Sequence, residues 1–133
     1  CPGVGVLNLV TRKCYYVRTQ MKGWIEARDA CRADGFDLVT IESSAENTFV
    51  FGLLSDAAWI GLNDIDTEGT YVWSDGSQSG YTNWDDAQPN NWLNQDCIFM
   101  NGPSDGGKWG DHACIPPIDE PIPGYVCALK INP

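Results

Sequence analysis

Trp84-Asp85-Asp86-Ala87-Gln88-Pro89-Asn90-Asn91-Trp92 and, further on, Lys108-Trp109-Gly110-Asp111 are the stretches from which the rest of the chain can be read. Oxygen-bearing side chains crowd the first of them, around a proline and a tryptophan that has no apolar run beside it. Hard cations such as Ca²⁺ take six to eight oxygen ligands from carboxylates, amides and carbonyls. An indole standing among polar groups offers a flat apolar face next to hydrogen-bonding partners, which suits a ligand that is half apolar and half polar. A sugar is such a ligand. The same composition also describes a polar surface loop with a buried tryptophan.

Outward from that stretch, composition narrows the class. A chain of 133 residues is one domain of ordinary size, large enough to bury a core. Its formal net charge of −10 argues against a nucleic-acid backbone or an anionic membrane surface as partner. It is compatible with gathering divalent cations. No stretch approaches the roughly 20 apolar residues of a membrane span. A first residue of Cys1 reads as a mature product whose signal peptide has been removed, and predicts a secreted, extracellular protein. Six cysteines, an even number, fit an oxidising compartment. Zinc is the rival use of cysteine, but Cys-x-x-Cys pairs are absent and His112 is the single histidine. Six cysteines allow 15 pairings, and spacing does not choose among them.

Along the chain, Val4, Val6, Leu7, Leu9 and Val10, then Thr11-Arg12-Lys13, then Cys14 to Val17 predict a hairpin. Trp24, Ala27, Ala30 and Cys31 recur at helical spacing, and Gly35 ends that helix. Leu38 to Ile41 reads as a short strand. Ser43 and Glu46 form a capping box, each satisfying the other's exposed amide, and open a second helix with Phe49, Val50, Leu53 and Leu54 as its apolar stripe. Glu46 is therefore structural. Trp59 to Leu62 is a buried central strand, and Tyr71 to Trp73 another, closed by the turn Ser74-Asp75-Gly76. Ile98 to Met100 and Lys108 to Gly110 pair across the loop 101–107. The segment from Pro116 to Pro123 is too proline-rich for a helix or a central strand, and Gly124 to Leu129 is a closing strand. Residues 63–100 are rich in Gly, Asn, Asp and Ser, and long loops inside a compact domain are usually functional.

Trp59-Ile60-Gly61-Leu62, Asn83-Trp84, Gln88-Pro89-Asn90, Asp96-Cys97 and Trp109-Gly110-Asp111 before Cys114, in that order, resemble the C-type lectin domain. The resemblance runs from Cys1 to Cys127. It implies an α+β, C-type lectin-like fold in one domain over residues 1–133, with two helices flanking antiparallel sheets and a long loop region. It also implies the disulfides Cys1–Cys14, Cys31–Cys127 and Cys97–Cys114, the first marking the long form of the domain. The middle bridge would close nearly the whole chain, a loop whose closure entropy is worth roughly 4–5 kcal/mol.

The resemblance further implies a Ca²⁺ site at a sugar-binding loop, on the positions Gln88, Asn90, Gln95, Gly110 and Asp111. Gln95 stands where Glu is usual, Gly110 where Asn is usual, and Asp111 alone brings a formal charge. Affinity follows ligand charge and count, so the expected site is no tighter than the ~10⁻⁴–10⁻³ M of weak extracellular modules. A second ion position matches Asp64, Glu68, Asn91 and Asp96, and is the richer in charge. Its bland reading is a set of solvated loop acids. Gln88-Pro89-Asn90 is a hybrid of the mannose-type and galactose-type patterns of the family. Trp92 tips it, because Gln-Pro-x-x-Trp is the galactose-type arrangement, with the indole stacked on the apolar face of the ring. The expected partner is thus a glycan ending in galactose or N-acetylgalactosamine, held by Gln88, Asn90, Trp92, Gln95 and Asp111. A shallow single site predicts homo-oligomers for avidity. Trp84 and Trp109 belong to the core. No enzyme is expected, since His112 has no serine or free cysteine partner in view. The alternative is a calcium-independent domain of the same fold that binds a protein or other non-sugar surface, which Gln95 and Gly110 favour.

Overall fold

A computed structural model describes residues 1–86, 88–89, 96–103 and 106–131. Its N-terminal strands β1 (Val6–Asn8) and β2 (Lys13–Arg18) form the expected hairpin. Tyr15, on β2, is fully buried, whereas Val4, Leu9 and Val10 remain exposed. Helix α1 (Trp24–Ala33) follows with Trp24, Ala27 and Cys31 on its buried face. Helix α2 (Ser44–Phe51) is capped by Ser43, whose Oγ accepts the Glu46 amide at 3.1 Å.

One detail differs from the capping box read in the sequence. Glu46 Oε1 accepts the amide of Glu42 at 2.8 Å instead of that of Ser43. The reciprocal contact occurs at the other helix, where Gly23 N–H donates to Glu26 Oε1 at 3.2 Å. Glu46 is turned away because its second oxygen is claimed from below. Lys13 Nζ donates to Oε2 at 2.9 Å and Tyr15 OH at 2.6 Å. Helix α2 is also shorter than its apolar stripe, since Leu53 and Leu54 lie beyond Phe51 and pack from the following turn.

Strands β3 (Asp37–Leu38), β4 (Ala58–Asn63), β5 (Val72–Trp73), β6 (Cys97–Met100), β7 (Trp109–His112) and β8 (Gly124–Lys130) complete the described elements. They join β1 and β2 in one connected sheet of order β1-β2-β8-β4-β6-β7, with β3 on β8 and β5 on β4. The expectation of antiparallel sheets holds for every described pair except β4–β8, which runs parallel. That pairing follows from β8 returning between the two halves of the sheet, beside β2 on one edge and β4 on the other. Every residue of β4 is buried, as expected for a central strand. Gly61 is required there, because a Cβ would sit 3.0 Å from the carbonyls of Leu38 and Val39.

Two apolar clusters fill the interior, one around Ile60, Ile98, Trp109 and Val126, the other around Trp24, Trp59 and Tyr125. The disulfides pair Cys1–Cys14, Cys31–Cys127 and Cys97–Cys114, as the resemblance implied. The last ties the start of β6 to the chain just beyond β7, so the two strands carrying the candidate site cannot separate at that end.

Candidate functional site

The site lies where β4, β6 and β7 end and the loops begin. Pairing of β4 with β6 shifts register between Trp59 and Asn63, and such irregularities re-aim side chains at the rim of a sheet. Just past it, Asp64 N–H donates to Asp96 O at 2.9 Å. This bond sets the two backbones side by side, and Glu68 comes back to them over a tight loop. Gly69 N–H donates to Asp64 Oδ2 at 2.9 Å and closes that loop. Carboxylate oxygens of Asp64, Glu68 and Asp96 then lie within 4.8 Å of one another.

Asp64 is 1% exposed, and among the described residues its Oδ1 finds no hydrogen-bond donor; neither does Asp96 Oδ1, also buried. A buried carboxylate oxygen without a donor is costly. Ionised carboxylates cannot donate to each other, and a cation is one partner that relieves such a cluster. The carboxyls of Glu68 and Asp96 are accordingly raised above their ordinary values, by desolvation first and then by the neighbouring Asp64. Three carboxylates at this separation, two with bare buried oxygens, fit a hard cation that prefers oxygen ligands.

Tyr71 belongs to the same neighbourhood, although its sequence context gave only a strand. Burial raises its phenol well above the ordinary range, and the carboxylates of Asp64, Asp111, Glu68 and Asp96 add to the shift. The signal that could have found it is its place three residues after Glu68, just before β5. Its ring meets Trp84 at 5.4 Å.

Across the loop, Gln88–Pro89 is a cis peptide. Gln88 Oε1 accepts the backbone N–H of Asp111 at 3.2 Å. The structure therefore brings Gln88 and Asp111 together, and Asp111 is 5% exposed. Trp109 anchors this arrangement from beneath. It is fully buried, meets Trp73, Tyr81 and Trp84 edge-on at 5.6, 5.7 and 5.8 Å, and exchanges backbone hydrogen bonds with Asn83 and Asp85. Trp84 is half-buried against the same cluster. Gly110, between Trp109 and Asp111, leaves no room for a side chain: a Cβ would lie 2.9 Å from Phe99 Cζ. The ring of Phe99 fills the space an asparagine side chain would need. Asn90, Asn91, Trp92 and Gln95, named from the sequence, lie outside the described residues.

The profile of the Lectin C-type domain family matches residues 20–118. Lectin BRA-3 of Megabalanus rosa is 42% identical over 117 residues, which are 86% of this chain and 72% of that protein. The chain belongs to the C-type lectin family. Other curated relatives are longer, this chain spanning 34% of one and 8% of another. Among solved structures, the cow C-type carbohydrate-recognition domain of CD23, determined in the presence of a GlcNAc2Man3 oligosaccharide, is similar at TM-score 0.88 and 33% identity, covering 100% of this chain and 98% of that one. A calcium-independent type II antifreeze protein is similar at TM-score 0.86 and 25% identity, covering 98% and 94%. The lectin domain thus shares its fold with carbohydrate-binding members and with a member whose function needs no calcium.

Proposed function

We propose that this lectin domain binds glycans in a calcium-dependent manner, in an extracellular setting, with terminal galactose or N-acetylgalactosamine favoured. The observation that carries the calcium part is the pair of bare buried oxygens, Asp64 Oδ1 and Asp96 Oδ1, beside Glu68. These residues, with Asn91, would hold one Ca²⁺. Bound calcium would offset most of the trio's negative charge and tie the loop 64–69 to the chain entering β6. At the sugar loop, Gln88, Asn90, Gln95 and Asp111 would offer oxygens to a second, weaker ion and to sugar hydroxyls. An amide carries both a donor and an acceptor, so Gln88 and Asn90 are suited to hydroxyl contacts even with little ion present. Trp92 would stack on the continuous C–H face that an axial 4-hydroxyl leaves on galactose.

The test is a glycan array probed with the intact domain in millimolar calcium and again in chelator, alongside Trp92→Ala. Galactose-terminated glycans should lead in calcium, fall to background in chelator, and be lost in the variant while its melting temperature stays the same. Preference for mannose, or galactose binding unaffected by Trp92→Ala, would overturn the sugar assignment.

A second reading is kept because of Gly110. With no side chain there, and Phe99 in its place, the sugar-loop ion has lost a ligand, and the likeness to a calcium-independent antifreeze protein supports a non-sugar surface. An array blank under both conditions would favour it.

A further inference from the structure

The chain from Ile115 to Pro123, between the last disulfide and β8, carries Pro116, Pro117, Pro121 and Pro123. Together with the segment entering α1 it walls a cavity of about 390 Å³ lined by Met21, Gly23, Ile115, Pro117, Ile118 and Ile122, among others. Ile122 is buried and forms apolar floor, while Met21 is 69%, Ile115 83% and Ile118 98% exposed. Large aliphatic side chains this open, converging on one concavity, differ from the scattered apolar residues of any surface.

The walls are fixed in place by hydrogen bonds. Trp59 Nε1–H donates to Lys22 O, Trp24 N–H donates to Cys114 O, and His112 Nε2 hydrogen-bonds Glu120 O, each at 2.8 Å. Prolines have fixed φ and no N–H to pair, so the segment has few ways to fold down over its own apolar face. A groove preorganised in this way loses little freedom on binding.

Charge selects the occupant. Glu26 lines the groove, Asp119 and Glu120 stand exposed on the proline-rich wall, and Lys22 is the one cation in the lining among the described residues. Screening acts over about 8 Å at physiological strength, so these charges bear on a segment seated in the groove itself. A second copy would bring the same acidic rim and a net charge of −10, and an anionic membrane would be repelled too.

We propose that this groove docks a segment of a partner protein in which a large aliphatic or aromatic anchor is flanked by lysine or arginine. The anchor packs against Ile115, Ile118 and Ile122, and the basic groups face Glu26, Asp119 and Glu120. None of these residues belongs to the sugar loop or the acidic trio, so the proposal stands apart from the lectin reading.

The experiment selects random peptides displayed on phage against the intact, disulfide-bonded domain, in calcium and in chelator, at near-physiological salt. Enriched peptides are then measured on the parent and on a domain carrying Ile115→Asp and Ile118→Asp. Both positions are exposed, so circular dichroism should report an unchanged fold. Enriched peptides should be net positive with at least one large apolar residue, indifferent to calcium, and about tenfold or more weaker on the variant. Peptides that bind the variant equally, that are neutral or acidic, or that fail to enrich at all would overturn the proposal. So would partition of the parent onto phosphatidylcholine vesicles that the variant abolishes.

Discussion

Two carboxylates are equally buried in this domain, Glu46 and Asp64, each 1% exposed, and they are treated in opposite ways. Glu46 is surrounded by donors from its own chain: Lys13 Nζ, Tyr15 OH and the Glu42 amide. Asp64 receives one amide on Oδ2, while its Oδ1 has no donor among the described residues and its carboxylate lies beside those of Asp96 and Glu68. A fully paired buried acid is a brace. A half-paired one among other acids is suited to a positively charged partner. Burial alone would have put both in the same class, and only the tally of donors separates them.

The largest effect expected from breaking this contrast is at the brace. Glu46→Ala leaves Lys13 with Glu42 and the Thr40 carbonyl, and strips Tyr15 OH of its buried acceptor. Removing one partner of a buried pair costs about 3–5 kcal/mol, and the surviving Glu42 contact puts this case near the lower end. Urea unfolding should show a loss of about 3 kcal/mol, equal in calcium and in chelator. A loss that calcium reversed would mean Glu46 is coupled to the ion site after all.

A smaller effect should appear at Asp64. With a dissociation constant near 10⁻³ M, about 10 mM calcium should stabilise the parent by roughly 1.4 kcal/mol. Asp64→Asn should abolish that gain, and in chelator it should be no less stable than the parent, because one of the opposed charges is gone. Thermal melts with and without calcium measure both. Equal calcium stabilisation in parent and variant would show that the trio is not where the ion sits.

Much of this was legible in the sequence. Gly61 within an apolar run, Trp109 before Asp111, and the six cysteines gave the central strand, the core anchor and, through the family resemblance, the bridges. Asp64, Glu68 and Asp96 were also named together, although 32 positions separate the first from the last. What spacing could not supply is three-dimensional donor supply. Glu46 looked like the second half of a capping box, because local pattern sees Ser43 and not Lys13, which lies 33 residues away. Tyr71 looked like an ordinary strand residue, because the carboxylates that act on it come from three different places in the chain. The parallel β4–β8 pair was missed for the same reason, since no hairpin signal announces a strand that returns from the far end.

The smallest effect, and the sharpest on the contrast, concerns pH. Desolvation and the nearness of Asp64 raise the carboxyls of Asp96 and Glu68 in the folded state. An acid raised by folding holds its proton to higher pH in the native chain than in the unfolded one. Its contribution is therefore fully present below the ordinary carboxylate value of about 4 and is lost as pH rises through the raised native value. In chelator, the stability owed to this cluster should decline with rising pH across the carboxylate range. Other acids titrate there too, so the informative quantity is the difference between the parent and Asp96→Asn, which removes one raised group and one opposed charge. That difference should favour the variant increasingly as pH rises above the ordinary carboxylate value of about 4. It should stay below the calcium effect, because Glu68 is exposed and solvent screens its share. Calcium should close the gap from the other side. Its ligands must be deprotonated, so the calcium gain of the parent grows over the same window in which the chelated parent weakens. Urea unfolding at both ends of the range, for both proteins, with and without calcium, gives the required curves. Curves that run parallel in chelator would remove the strain from Asp96 and leave Asp64 as an acid no different in kind from Glu46.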